Sequence, residues 1–518
     1  MDHPRALAAL IMFLLFSVGD FTAVPQLRRK SQVTGGLCAH LIQSAGFPCT
    51  EHQTKTKDGF LLGLQRVSSR STIVRGEMGL PVLLIHGLFM AGDAWFMNSA
   101  SQSLGFILAD QGFDVWVGNV RGTHWSHGHV SLSVKNKEFW DWSWQELALY
   151  DLAEMIRYVN KITKAKIFVV GHSQGTIMSL AAFTKPDIVD MVKAAALLCP
   201  ISYLDHITSD FVLGLVKIRL DEVILALGIH QLNFKSNMGT QIMDMMCNGH
   251  IHCDIWLSAI TGKNCCFNDS RIDFYLEYEP HPSSSKNLHH LFQMGWEIVS
   301  LAPGVGVTRT GCQIQFKSRT LTTKRVLWVL SPIPCSSQFL ESAIFSFHFV
   351  NFSRTRFKRG LSSSWALFYI LSFAKYVDVV MICATLSVFM CRATAHIVIL
   401  VLIFLIQNFA VIRKGSFAMY DYGMWKNLMR YNQPKPPVFD ISQIPTSLPL
   451  WMGYGGNDAL ADAIDIQHTL KGLKSKPDLL YIEEYGHIDF LLSTRAKTDV
   501  YDDMIRFFNS VQKVSSFK

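Results

Sequence analysis

Hydrophobic residues in this chain gather into short unbroken runs set between longer amphipathic stretches. Runs at 82–85, 113–118, 166–170, 194–198, 449–454 and 479–483 are dominated by Val, Ile, Leu, Phe, Ala and Met. Runs of this length without polar alternation predict strands covered on both faces, the signature of a parallel sheet. Between the second and third run, Leu149, Leu152, Ile156 and Val159 recur at three- and four-residue steps, with Asp151, Glu154 and Asn160 on the other side. That spacing predicts an amphipathic helix. Strand and helix patterns in alternation predict an α/β domain with a mostly parallel central sheet flanked by helices.

The strand pattern lapses from about residue 199 to 447, far too long a gap for a loop. It predicts a unit inserted into the sheet domain, whose halves are 36–198 and 447–513, with 199–446 as the cap or lid region. Up to His290 the insert carries helical patterns, apolar Phe, Leu and Met, and the clustered cysteines Cys247, Cys253, Cys265 and Cys266. We read it as a cap over the active edge of the sheet. No internal repeat is evident.

Composition alters this picture in two places. The chain of 518 residues has a net charge of +8. Residues 295–411 hold eleven Lys or Arg against three Asp or Glu, so that segment carries the whole excess and the remainder sums to zero. A local excess of this kind gives no reason to expect a nucleic-acid partner. At the N-terminus, Arg5 precedes an apolar run over 6–18 and small residues to 23, the layout of a signal peptide over 1–23; an uncleaved anchor is the alternative. Entry to the secretory pathway, toward an extracellular or a vacuolar or lysosomal destination, agrees with eleven cysteines and with acceptor triplets at Asn268-Asp269-Ser270 and Asn351-Phe352-Ser353. Cys38 and Cys49 flank a short segment that a disulfide could close, and an odd count leaves at least one thiol unpaired in a monomer.

The chemistry centres on Gly171-His172-Ser173-Gln174-Gly175, which follows the apolar run ending at Val170 and precedes a helix-forming run over 176–183. Strand, tight turn and helix make a nucleophile elbow, where flanking glycines let the chain bend sharply enough to present the serine hydroxyl. A serine hydroxyl needs a histidine to take its proton and a carboxylate to orient that histidine. In the order Ser, Asp, His, the chain offers Asp458 just past one late strand and His487 just past the last. His172 is expected to point away within the elbow, and His86 to support the oxyanion loop. Asp462 and Asp465 compete with Asp458 but sit in a helix pattern, where solvated positions are expected. Backbone N–H groups of Leu88, in His86-Gly87-Leu88, and of Gln174 are the expected oxyanion hole. No zinc-type ligand spacing and no dinucleotide loop occurs, and this chemistry requires no metal or cofactor.

With these residues in place, the chain resembles the acid lipase family of gastric and lysosomal lipases, and within it the plant triacylglycerol lipase 2-like members. The resemblance rests on Gly36-Leu37-Cys38, Phe47-Pro48-Cys49-Thr50-Glu51-His52, Lys57-Asp58-Gly59-Phe60, Leu84-Ile85-His86-Gly87-Leu88, Gly118-Asn119-Val120-Arg121-Gly122, Phe139-Trp140-Asp141-Trp142-Ser143-Trp144, the elbow and both C-terminal motifs. It implies an α/β-hydrolase fold with an inserted helical cap and a triad of Ser173, Asp458 and His487. The 29-residue separation of Asp458 and His487 matches the family and favours Asp458 over Asp462. Asn119, Arg121 and the Trp-rich run are expected in packing and loop support. The resemblance further implies hydrolysis of neutral lipids, triacylglycerols or steryl esters, at an oil–water or membrane interface with the cap displaced. It names no obligate protein partner. A carboxylesterase or acyltransferase on smaller esters, and a non-catalytic chain disabled by its insertion, remain the alternatives.

The resemblance covers almost everything outside 295–411. Residues 393–412 contain no Asp, Glu, Lys or Arg and are long enough to span a bilayer. A single span there would part Ser173 from Asp458 and His487, so catalysis requires an even number of spans or none. The abrupt ends of 295–411 are read as those of translated non-coding sequence, such as a retained intron.

Overall fold

The structure, a computed structural model, describes residues 35–71, 79–235, 253–295 and 416–516. The expected signal peptide, Cys247, Asn351 and the stretch 393–412 lie outside the described residues, as does all of 295–411 but its first residue.

The six apolar runs become six strands lying side by side. A nine-stranded sheet runs in the order β1-β2-β4-β3-β6-β7-β10-β11, with β5 paired to β2. Its members are β1 (Cys49–Lys55), β2 (Phe60–Val67), β3 (Pro81–Ile85), β4 (Asp114–Gly118), β5 (Gly128–His129), β6 (Ile167–His172), β7 (Val192–Leu198), β10 (Leu450–Gly455) and β11 (Asp478–Ile482). From β4 to β11 every pairing is parallel. The antiparallel pair β1–β2 extends the sheet at one edge, and β8 (Gln231–Leu232) pairs with β9 (Ser283–Ser284) apart from it. β3, β4, β6 and β10 are buried throughout, which accounts for their unbroken apolar sequence. β1 and β2 escaped the pattern because β1 is largely polar and half solvated; a disulfide between Cys38 and Cys49 ties its first residue to the preceding turn.

The sheet order reverses between β3 and β6. From β3 the chain steps outward to β4, then returns on the other side as β6. Loops leaving the C-terminal ends of β3 and β6 therefore diverge, and a crevice opens between them. Ser173 lies at the end of β6, and Leu88 lies just past β3.

Among the described residues, eleven α-helices of seven residues or more flank the sheet or lie in the segment between β7 and β10: α1 (Leu104–Asp110), α2 (Ala153–Thr163), α3 (Gln174–Phe183), α4 (Asp210–Lys217), α5 (Leu220–Ala226), α6 (Cys253–Thr261), α7 (Ile272–Tyr278), α8 (Ser285–Gly295), α9 (Met424–Tyr431), α10 (Ala463–Gly472) and α11 (Asp502–Ser516). Between β7 and β10 the described residues add no strand to the large sheet, and those two strands are neighbours in it. No helix of the described residues is long and apolar enough to cross a membrane.

The predicted helix is present as α2 with a wide turn (Leu147–Leu152) before it; Leu152, Ile156 and Val159 are buried and Leu149 is half-buried. Asp151 departs from the prediction. It is fully buried, accepting the Arg121 backbone N–H at 2.9 Å and its guanidinium at 2.6 Å. Arg121 is buried too, reaches Asp58 at 2.6 Å and lies over the Phe60 ring at 3.9 Å. The buried Arg121 cation, paired with buried Asp151 and with the more exposed Asp58, offsets the cost of burying Arg121 and Asp151. Asn119 and the Trp-rich run act as expected. Asn119 bonds Gly92 N–H, Gly63 O and Gln65 Oε1, and Phe139, Trp140, Trp142 and Trp144 are all buried.

Replacing Arg121 with Met should cost on the order of 3–5 kcal/mol, because Asp151 would stay buried without its cation. Urea unfolding measures this; removing the exposed Arg157–Asp187 pair is the control, expected to cost less than about 1 kcal/mol.

Candidate active site

Ser173 takes φ 54° and ψ −119°, a conformation that costs a non-glycine residue free energy. Its surroundings enforce it. Ser173 N–H bonds Leu198 O at the end of β7, and Ser173 O accepts Thr176 N–H within α3. The flanking glycines are dictated by close approach. A Cβ on Gly171 would meet Gly175 backbone at 2.8 Å, and one on Gly175 would meet Ile85 O at 2.4 Å. The second contact ties the elbow directly to the end of β3.

Asp458 and His487 come together on the loops that follow β10 and β11. His487 Nδ1 lies 2.8 Å from Asp458 Oδ2, and both side chains are buried. Asp458 Oδ1 accepts N–H groups of Leu460 and Ala461 at 2.9 and 2.8 Å. Burial alone would raise this carboxyl, but His487 and those two amides outweigh it, so Asp458 stays below the usual carboxylate range and ionised. The competing acids do other work. Asp462 caps α10 by accepting Ile464 N–H, and Asp465, expected to be solvated, is buried against His206 at 2.6 Å.

His172 corrects another expectation. Its ring does not turn away; Nε2 donates to the His487 backbone carbonyl at 3.1 Å, and the two ring centroids are 5.0 Å apart. Burial, then the nearby His487, lowers its pKa to about 3, so it is a neutral donor held in one tautomer. Cys199, one residue past β7, bonds the same carbonyl through Sγ at 3.4 Å. From the other side His487 N–H donates to Thr261 O, while Asp489 accepts N–H groups of Gly486, Cys265 and Cys266. The catalytic-type histidine is thus fixed by its backbone from both the sheet and the inserted segment. Among the described residues no hydrogen bond joins the Ser173 hydroxyl to His487. Such bonds often close only when substrate is bound.

Leu88 and Gln174 supply the remaining geometry. Gln174 opens α3, so its N–H has no partner within the helix. Neither that N–H nor the one on Leu88 meets a protein acceptor among the described residues. His86 is buried beneath this loop. Val120 N–H donates to His86 Nε2, so Nδ1 carries the proton and donates to Gly87 O at 2.9 Å; burial lowers the ring's pKa to about 4. α8 reaches the elbow through Asn287 Nδ2, which bonds Gln174 Oε1 at 2.7 Å. Cys199, Asp458 and His487 also form a trio of metal-ligand types, as do Asp93, Glu279 and His281 elsewhere. In the first, Asp458 and His487 are already each other's partners. Asn268 is exposed, with its side-chain oxygen bonded by Ser270.

A buried Asp–His pair beside a strained serine, with two unpaired N–H groups nearby, suits acyl transfer through a tetrahedral intermediate. Comparison with known proteins agrees. Residues 38–99 match the family described as a partial alpha/beta-hydrolase lipase region, and residues 81–223 the alpha/beta hydrolase fold. The chain is 46% identical to Triacylglycerol lipase 1 of Arabidopsis thaliana, over 98% of this chain and 99% of that one. With Triacylglycerol lipase 2 of the same plant it shares 30% identity, over 97% and 96%. The lysosomal acid lipase/cholesteryl ester hydrolase of Macaca fascicularis is 32% identical over 56% of this chain and 74% of that one.

His172→Phe keeps a ring in place and deletes the N–H given to His487. Labelling of Ser173 by a serine-directed fluorophosphonate should slow by roughly fivefold to tenfold, the worth of one hydrogen bond. An unchanged rate would show that His172 does not set the position of His487.

Proposed function

The chain belongs to the α/β-hydrolase lipase family that includes plant triacylglycerol lipases, and from that premise we propose that it hydrolyses carboxylic ester bonds of neutral lipids, triacylglycerols or steryl esters. The observation that carries the reading is the 2.8 Å bond between His487 and Asp458 on loops that bring them to the Ser173 elbow. Ser173 attacks the ester carbonyl as His487 Nε2 takes its proton, and Asp458 holds the imidazole in that tautomer and stabilises its charge. The developing oxyanion meets the N–H groups of Leu88 and Gln174. His487 then protonates the departing alcohol, and water hydrolyses the acyl-enzyme by the same route in reverse. These side chains suffice for the cycle.

Substrate class follows from the relatives and from the inserted segment. Residues 199–446 act as a cap that moves aside at a lipid surface, and the described part already bonds the His487 backbone and, at Phe89 and Ala91, the loop that carries Leu88. Exposed Trp425 and Met429 on α9 are compatible with such a surface. Residues 1–23 direct the chain into the secretory pathway, toward an extracellular or lysosome-like compartment, where Cys38–Cys49 is oxidised and Asn268 carries a glycan.

Changing Ser173 to Ala should abolish release of fatty acid from a triacylglycerol emulsion while leaving thermal unfolding intact. Asp458→Asn should lower kcat by about three to four orders of magnitude. Retained turnover in Ser173→Ala would sink the assignment, and faster turnover of dispersed short esters than of emulsions would replace the lipase by a carboxylesterase.

A further inference from the structure

The chain leaving α7 fastens the loop that carries Leu88. His281 N–H donates to Phe89 O at 2.7 Å, and Glu279 Oε1 accepts Ala91 N–H at 3.2 Å. His281 Nε2 and Trp125 Nε1 each lie 2.8 Å from Asp93 Oδ2, at the end of the same loop. Phe89 holds φ at 59°, so the peptide next to Leu88 is in a costly conformation that neighbours must enforce. The contacts from His281 and Glu279 fall on the Phe89 carbonyl and on the N–H two residues past it.

One pair of atoms in this clasp is unaccounted for. Asp93 Oδ1 and Glu279 Oε2 are buried without a hydrogen-bond partner, and carboxyl oxygens of the two residues lie within 4.8 Å of each other. Two carboxyls this close, out of water and without another donor, are held together by a proton on one of them that supplies an O–H to the other. Asp93, Glu279 and His281 are also of metal-ligand type. The tautomer argues against a metal. His124 N–H donates to His281 Nδ1 at 3.2 Å, so the ring proton sits on Nε2, which gives it to Asp93 and has no lone pair for a cation.

We propose that Glu279 is a positioning residue for ester hydrolysis: protonated, it bonds Asp93 and Ala91 and holds the Leu88 N–H at the oxyanion, and ionised, it releases that loop. The proposal rests on the serine-hydrolase reading of Leu88. Burial, then the charge of Asp93, raises the Glu279 carboxyl well above its ordinary range. Burial would raise Asp93 as well, but His281, the Glu279 carboxyl and Trp125 together hold it low, so the shared proton belongs to Glu279. Lys235 faces the pair from the residues after β8. Its ammonium is bonded to the carbonyls of Glu277 and Tyr278, and burial lowers its pKa. His124 faces the cluster from the loop after β4, with its pKa lowered to about 4 by burial, and stays neutral. A carboxyl whose pKa is raised on folding contributes stability below its unfolded value and loses it as pH rises through the folded one. The clasp is therefore closed in acid and opens toward alkaline pH.

Glu279→Gln supplies a fixed N–H to Asp93 and keeps an oxygen for Ala91. In the full-length protein, kcat and KM on a soluble 4-nitrophenyl ester should be followed against pH, with thermal unfolding over the same range. The wild type should lose kcat on the alkaline side with KM little changed, and Glu279→Gln should shift that limb upward by about one pH unit or more. Its unfolding temperature should also lack the wild-type decline there. Glu279→Ala should lower kcat on the order of tenfold at all pH values, a fraction of the loss of one oxyanion donor. Superimposable alkaline limbs and unfolding curves for wild type and Glu279→Gln would overturn the proposal. If the wild type hydrolysed no ester, the serine-hydrolase reading would fail, and the unfolding curves alone would still decide the shared proton.

Discussion

Everything at this site depends on a backbone constraint at Ser173. A residue with a side chain is held at positive φ because β6 ends where three other backbones crowd it: β3 through Gly175, β7 through Leu198, and the first turn of α3. The strain is affordable because the strands beneath are buried and close-packed. The same reversal of sheet order that crowds the elbow also splays the loops after β3 and β6 apart. The Ser173 elbow and the loop that carries Leu88 thus share one cause, the position of β3 in the middle of the sheet.

His487 is held differently. Its side chain answers to Asp458, but its backbone carbonyl takes two donors, His172 from β6 and Cys199 from β7. Those strands are neighbours, so the elbow and the histidine loop are referenced to the same pair of strand ends. The inserted segment supplies the opposite wall through Thr261, Cys265 and Cys266. It also supplies Glu279 and His281 to the oxyanion loop. A segment that grips the loops beside the elbow on two sides couples its own position to theirs.

Six strands, and the places of Ser173, Asp458 and His487 relative to them, were legible in the sequence because each has a local cause. Buried parallel strands cannot alternate, and Ser173, Asp458 and His487 each stand just past a strand end. What escaped has nonlocal causes. β1 is an edge strand whose polar Thr50, Glu51, His52 and Gln53 carry no apolar signature. Asp151 reads as a solvated helix residue until Arg121, thirty positions away, buries it. Asp465 and His206 are separated by 259 residues, Asp93 and His281 by 188. Periodicity has no means of pairing such residues. His172 and Cys199 did carry a signal, since one ends β6 and the other directly follows β7 beside the elbow, but a residue inside a motif is easily taken as filler.

The buried ionisable groups around the site pull its pH dependence in opposite directions. His86, His172 and His290 are buried and neutral, with pKa values lowered to about 4, 3 and 3. Each binds no proton in the folded chain until the pH is well below the unfolded value of 6.5, so each removes stability as pH falls through that window, at ~1.4 kcal/mol per unit of displacement. Glu279 works the other way, its raised carboxyl favouring the folded state in acid. A site built from neutral imidazoles alone would be safest near neutrality. One protonated carboxyl in the oxyanion clasp moves the upper edge of the working range down, toward acid, while the low pKa values of His86 and His172 keep the rings themselves uncharged and the donor pattern unchanged there.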